Sequence, residues 1–198
     1  MIKKPVLYFL ITLASVIVST ALLLLPEPAA GYIAWFCPVL FFAVLSGICC
    51  GFFPALLVGA LPPFLAYFVQ KFALPGNDLL FYVPMAVYAV SGMTAAFVYA
   101  ALHTSIGASV SAILAGRLVL GTANLIIYHL NGRTYTLMMF VRDAFLKEFS
   151  GLMLVLIIIP LLIQLFRRLL ADHDVAAVGA FPDHILLAGE NDTVLDVA

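Results

Sequence analysis

The sequence predicts an all-α integral membrane protein, a six-helix bundle with both termini in the cytoplasm. Three observations lead there. Of 198 residues, 65% are hydrophobic and 10% charged, and the mean hydropathy is +1.19. A soluble domain of this size needs a wetter outside than that. The apolar residues also fall in long runs. About 20 such residues cross a bilayer, so the chain has room for roughly five to seven spans. Finally, prolines, glycines and short polar stretches separate the runs. The net charge of −1 says nothing about nucleic acid, but no basic cluster is large enough to bind it, so none is expected as a partner.

Lys3 and Lys4 precede the first apolar run, Pro5 to Leu25. The run is too long for the core of a secretory signal, so a retained first span is expected. Ser15 and Ser19 form a small-xxx-small pair on it, which permits close helix contact. The plainer reading is two hydroxyls bonding back to their own helix. Pro26, Glu27 and Pro28 end this helix. Tyr32 to Cys50 is the second span, with Trp35 as an interfacial anchor. Gly47 and Gly51 bracket a tight connection to the third span, Phe52 to Gln70. Ala55 and Gly59 offer that span a close-packing face, and Pro62-Pro63 is expected to kink or interrupt it. The loop Lys71 to Asp78 is the clearest break in mid-chain.

The fourth span, Leu79 to Ala101, carries Tyr82, Tyr88, Ser91 and Thr94 among apolar residues. Tyr88 and Ser91 are three apart and share a face. His103 to Ile106 is a short polar connection, and His103 there reads as solvated. The fifth span runs from Gly107 to Leu130, and Asn131-Gly132-Arg133 makes the turn after it. The last hydrophobic region, Tyr135 to Leu170, begins amphipathic, with Arg142, Asp143, Lys147 and Glu148, and ends almost uniformly apolar around Pro160. Residues 1–170 thus form the membrane domain. Residues 171–198 are an acidic tail without Lys or Arg, expected to be poorly ordered. Cys37, Cys49 and Cys50 read as small packing residues, with no histidine at ligand spacing, so neither metal nor cofactor is expected.

Lys3, Lys4, Arg167 and Arg168 fall on one side of a six-span chain, against Lys71 and Arg133 on the other. The positive-inside rule puts the termini in the cytoplasm. The expected location is the cell membrane.

The most informative stretch is Ala115 to Tyr128. Arg117, Gly121, Asn124 and Tyr128 are spaced by four, three and four, so they line one helical face. A charge at bilayer depth costs several kcal/mol unless it faces protein or a watery cavity. The stripe therefore suggests an internal hollow. The alternative is that Arg117 only pins one helix to another through a carboxylate or carbonyls. In this topology Arg142, Asp143, Lys147 and Glu148 lie in the same outer half as Asn124 and Tyr128. Candidate substrate-binding residues are Tyr88, Ser91, Arg117, Asn124, Tyr128, Arg142, Asp143, Lys147 and Glu148. Arginine can hold a carboxylate bidentately, and asparagine and tyrosine read neutral polar groups. Three positive candidates against two negative favour an anionic or zwitterionic ligand. Tyr82 and Phe140 could stack on a flat ring. Arg142 and Asp143, like Lys147 and Glu148, are adjacent and are not expected to pair on one helical face. Asp143 and Lys147, four apart, can.

From Leu79 onward the order VPMAVYAVSGMTAAFVYA, ILAGRLVLG, DAFLKEFSGLMLVLIIIP and a basic end resembles the substrate-binding S component of energy-coupling factor (ECF) transporters, of the vitamin type. Gly116-Arg117 and Gly121 match the start of that family's fifth span. Phe145, Gly151 and Ile159-Pro160 match its sixth, with Ser150 where proline is usual. Tyr88 stands where the family often carries glutamate. Ser15 and Ser19 stand in for an Ala-xxx-Ala pattern that docks on the coupling subunit. The resemblance implies a six-helix bundle that captures a small vitamin-like molecule at the outer face. A transmembrane coupling subunit and two ATPase subunits would then drive its uptake. The chain carries no G-x-x-x-x-G-K-[ST] phosphate loop, so energy would come from those partners.

Two other classes compete. A non-transporting membrane scaffold or assembly protein would pair off its polar residues and leave no cavity. An intramembrane enzyme would need acid–base groups in one place, but His103 and His129 fall on opposite sides, and neither H-E-x-x-H nor G-x-S-x-G occurs. The chain is therefore not expected to be an enzyme.

Overall fold

A computed structural model of the chain describes residues 4–25, 37–71 and 79–172. The expectations for Trp35, for residues 72–78 and for the acidic tail beyond Asp172 fall outside them. Every regular element described is helical. The order is α1 (Lys4–Leu23), α2 (Pro38–Cys50), α3 (Phe52–Lys71), α4 (Leu79–Leu102), α5 (Ser105–Leu130), α6 (Leu137–Val141), a π-helical turn (Arg142–Leu146) and α7 (Phe149–Asp172). Phe52–Val69, Tyr82–Leu102 and Ser105–Leu130 are long and apolar enough to cross a membrane. Leu137–Leu146 with Phe149–Leu165, bent by 50°, makes a fourth if taken as one span. Tyr8–Leu23 and Pro38–Cys50 are apolar but shorter. Apolar helices of this kind are consistent with a membrane location.

Local chemistry sets the boundaries. Pro38 opens α2 at a position where its missing N–H costs nothing and its φ already suits a helix. Gly51 alone joins α2 to α3, at φ 95°, a conformation that side-chain-bearing residues avoid. Thr136 caps α6, its hydroxyl accepting the Met139 N–H at 3.3 Å. The interruption considered for Pro62-Pro63 does not occur: α3 continues through both prolines. Both are buried, and a spanning helix tolerates proline where neighbours surround it.

The centre is packed by small residues. Gly47 on α2 lies against the carbonyl of Gly92 on α4, with no room for a Cβ. A Cβ on Gly59 of α3 would sit 2.6 Å from the Tyr88 carbonyl. Such seams let helix backbones touch, the usual mode of contact in membranes, where burying large side chains gains little. The bulk instead points outward, with Phe9, Phe53, Phe97 and Leu118 all exposed.

A second core layer joins four helices: Leu40 and Val44 of α2, Tyr99 of α4, Ala112 of α5, and Val155 and Ile159 of α7. α1 lies at the edge, with Val16 packed on Ala43 and Val58. Ser15 and Ser19 are buried on this same inward side of α1. Their small-xxx-small face is therefore used within the chain, against α2 and α3, and is not open to a second protein.

Candidate functional site

The stripe expected on the fifth span exists, and one segment of the chain covers it. Tyr128 stacks obliquely on Tyr135, ring centres 5.0 Å apart. The Asn124 amide donates to the Tyr135 hydroxyl at 3.4 Å. Gly121 lies directly against the Phe140 ring, which a Cβ would strike. Arg117 Nη2 donates to Glu148 Oε2 at 2.6 Å. Stepping down α5 from Tyr128 to Arg117 thus means stepping up the chain from Tyr135 to Glu148, two strips meeting in antiparallel order.

Arg117 is only 2% exposed, the bulkiest fully buried side chain described. The Glu148 side chain is 30% exposed. The cation is sealed in while its partner carboxylate still reaches the surface. The Cys37 thiol donates to the same Oε2 at 3.0 Å. Cys37 caps α2 in the left-handed conformation (φ 46°, ψ 55°), which costs a non-glycine residue about 1–2 kcal/mol. That backbone turn carries the thiol from the end of α2 to the carboxylate. Glu148 therefore ties α2, α5 and the bend before α7 at one atom. Tyr88, half-buried and packed on the same core, lies within electrostatic reach of Glu148, Cys37 and Arg117.

The remaining candidates divide. The Ser91 hydroxyl is buried, donates to the Val87 carbonyl of its own helix at 2.7 Å, and abuts Gly116. It belongs to the α4–α5 contact and not to the Arg117 cluster, because a serine inside a helix readily bonds back one turn. Arg142, Asp143 and Lys147 form a separate local group on the π-helical turn. Lys147 Nζ lies 2.8 Å from Asp143 Oδ1, as spacing predicts. Arg142 Nε lies 3.4 Å from the same oxygen, contrary to the expectation that neighbours cannot pair. The guanidinium is long enough to fold back across one residue, and Asp143 is the inward-facing member, 12% exposed against 57% for Arg142 and 62% for Lys147.

Three participants lie outside the candidates that the sequence offers: Cys37, Tyr135 and the π-helical turn. Pro38 was a usable signal for the first, since proline at a helix start makes Cys37 the cap. No signal announces the π turn, which shows only as an extra residue in the register before Glu148. Among the described residues no group of His, Cys, Asp or Glu could hold a metal ion. No family profile, curated protein or solved structure matches the chain.

Proposed function

We propose that this chain is the substrate-binding membrane subunit of an ECF-type importer, taking up a small vitamin-like molecule from the outer face. In this reading the protein has six spans with cytoplasmic termini in a prokaryotic plasma membrane. Partner subunits supply the coupling helix and the ATPases. The observation that carries it is the buried Arg117, aimed into the bundle at a carboxylate that stays partly open. A membrane protein keeps an ionised group at depth mainly for function. The neighbours suit a ring-bearing solute: Asn124, Tyr128 and Tyr135 offer neutral hydrogen bonds, and Phe140 and Phe145, in edge contact, offer ring faces. With Ser15 and Ser19 covered, docking on a coupling subunit falls to the exposed face of α1, around Phe9, Leu13 and Ile17.

Three experiments test this. Mass spectrometry of small molecules carried through purification should find one bound solute. Affinity purification from native membranes should bring two ATPases and a long-helix coupling subunit. Arg117→Ala should weaken binding of that solute about tenfold or more, the worth of a hydrogen bond to a charged group. Unchanged calorimetric affinity in a folded variant would reject its role.

A scaffold or assembly role is the second reading. It is favoured by the pairing of each charged candidate inside the chain, Arg117 with Glu148 and both Arg142 and Lys147 with Asp143. It predicts no bound solute and a stable partner without ATPases.

A further inference from the structure

We infer that Glu148 is a built-in occupant of an anion site. Its carboxylate holds Arg117 until a carboxylate-bearing solute takes that place, and its departure releases the 135–148 strip from α5. The inference rests on the transport reading and names the ligand class for the same site.

Four observations converge on it. Arg117 is almost fully buried, and such a cation needs an anion beside it at all times. The anion now present is the more exposed member of the pair, so exchange can begin from its side. Glu148 also stands at the break between the π-helical turn and α7, where the chain bends by 50°. A residue at such a break can swing away without unwinding a helix. Lastly, the bond it would leave is not specific to it: the Cys37 thiol donates to a carboxylate oxygen and would donate equally to an incoming one.

Charge decides the ligand class. Arg117 and Glu148 sum to zero, and without Glu148 the inner cluster carries one positive charge. Only an anion restores neutrality. The other nearby cations, Arg142 and Lys147, share Asp143 and leave that group one positive charge, but both are more than half exposed, where water and salt screen them. Size follows from the stripe. Arg117 to Asn124 is seven residues of helix, a rise of about 10 Å. A carboxylate at Arg117 would leave its attached ring beside Phe140 and Gly121, within reach of the Asn124 and Tyr135 hydrogen-bonding groups.

The test uses benzoate as probe and benzamide as its neutral isostere, by calorimetry on the full chain in lipid nanodiscs and low-chloride buffer. Glu148→Gln removes the internal competitor, so benzoate should bind about tenfold or more tighter than to wild type, since a site rarely vacant shows only a fraction of its affinity. Benzamide should gain nothing, and Arg117→Gln/Glu148→Gln should bind neither. Hydrogen exchange at amides 142–149 should rise in wild type on adding benzoate, and be raised in Glu148→Gln without it. If the amide variant does not accumulate, Glu148→Ala, which likewise removes the carboxylate, carries the same expectations. Equal or weaker benzoate binding by the Glu148 variants, equal gain for benzamide, or no benzoate binding by any form overturns the inference. The transport reading is judged separately, by the co-purified solute and ATPases. A solute that binds wild type and is weakened by Glu148→Gln would leave that reading standing and remove this one.

Discussion

Where α4 meets α2 and α3, backbone lies on backbone; where α5 meets the 135–148 strip, side chains do the joining. At the first contact Gly47 faces the Gly92 carbonyl and Gly59 faces Tyr88, leaving no volume for even a methyl group. At the second, an ion pair, two tyrosines and a phenylalanine bridge the gap, and the Cys37 thiol reaches the same carboxylate from α2. The glycine seam has one solution, because its parts fit only each other. The polar strip has replaceable parts, because a carboxylate, an amide partner or a ring can come from elsewhere. If the chain binds a solute as proposed, rigidity on one side and exchangeable contacts on the other would let it change partners without losing its fold.

The sharpest way to break this contrast is at Arg117. Glu148→Leu alone strands a buried guanidinium, and breaking one side of such a pair costs about 3–5 kcal/mol. Arg117→Leu/Glu148→Leu should recover most of that loss, since a well-packed apolar pair often replaces a buried ion pair at little cost. Denaturant unfolding in detergent, run as a double-mutant cycle, measures it. A double variant as unstable as the Glu148 single would mean that the pair holds the fold as firmly as the glycine seam does, and the contrast would fail.

The seam is the second target. A Cβ at Gly59 would sit 2.6 Å from backbone atoms of Tyr88, which cannot rotate away as a side chain could. Gly59→Ala should therefore cost about 1–3 kcal/mol of stability, as overpacking does. Gly121→Ala meets only the movable ring of Phe140 and should cost less, roughly 1 kcal/mol or under. Melting temperatures of the two variants in the same detergent compare them directly. Equal losses would show that Phe140 is as fixed as the α4 backbone.

Much of this layout was legible beforehand, and the limits have physical causes. The inward-facing row Arg117, Gly121, Asn124 and Tyr128 follows from helical periodicity alone, because α5 is one uninterrupted helix. Gly51 marks its turn because few residues accept its φ. The partner of Arg117 was not readable as such. Glu148 lies 31 residues away across a turn, a short helix, a π turn and a bend, and each resets the angle at which its side chain points. By residue type Cys37 is a small packing residue, yet its left-handed cap brings it to the carboxylate. Ser91 shared a helical face with Tyr88 on paper. In the fold its hydroxyl turns back to Val87, since a short polar side chain in an apolar helix takes the nearest acceptor.

The smallest expected effect is on the exposed group beside the site. Asp143 accepts from Lys147 at 2.8 Å and from Arg142 at 3.4 Å, and both cations are more than half exposed. Water competes for each bond, so an i, i+4 pair of this kind contributes about 0.3–0.5 kcal/mol. Lys147→Ala should leave the melting temperature almost unmoved and benzoate affinity unchanged, one residue away from a position where Glu148→Gln changes both. That adjacency makes it the strictest control for the Arg117 site. General attraction by the exposed charges would weaken benzoate binding in Lys147→Ala and strengthen with falling salt, because exposed charges act at a distance and are screened. An anion held by the sealed Arg117 guanidinium, as inferred above, would depend on neither.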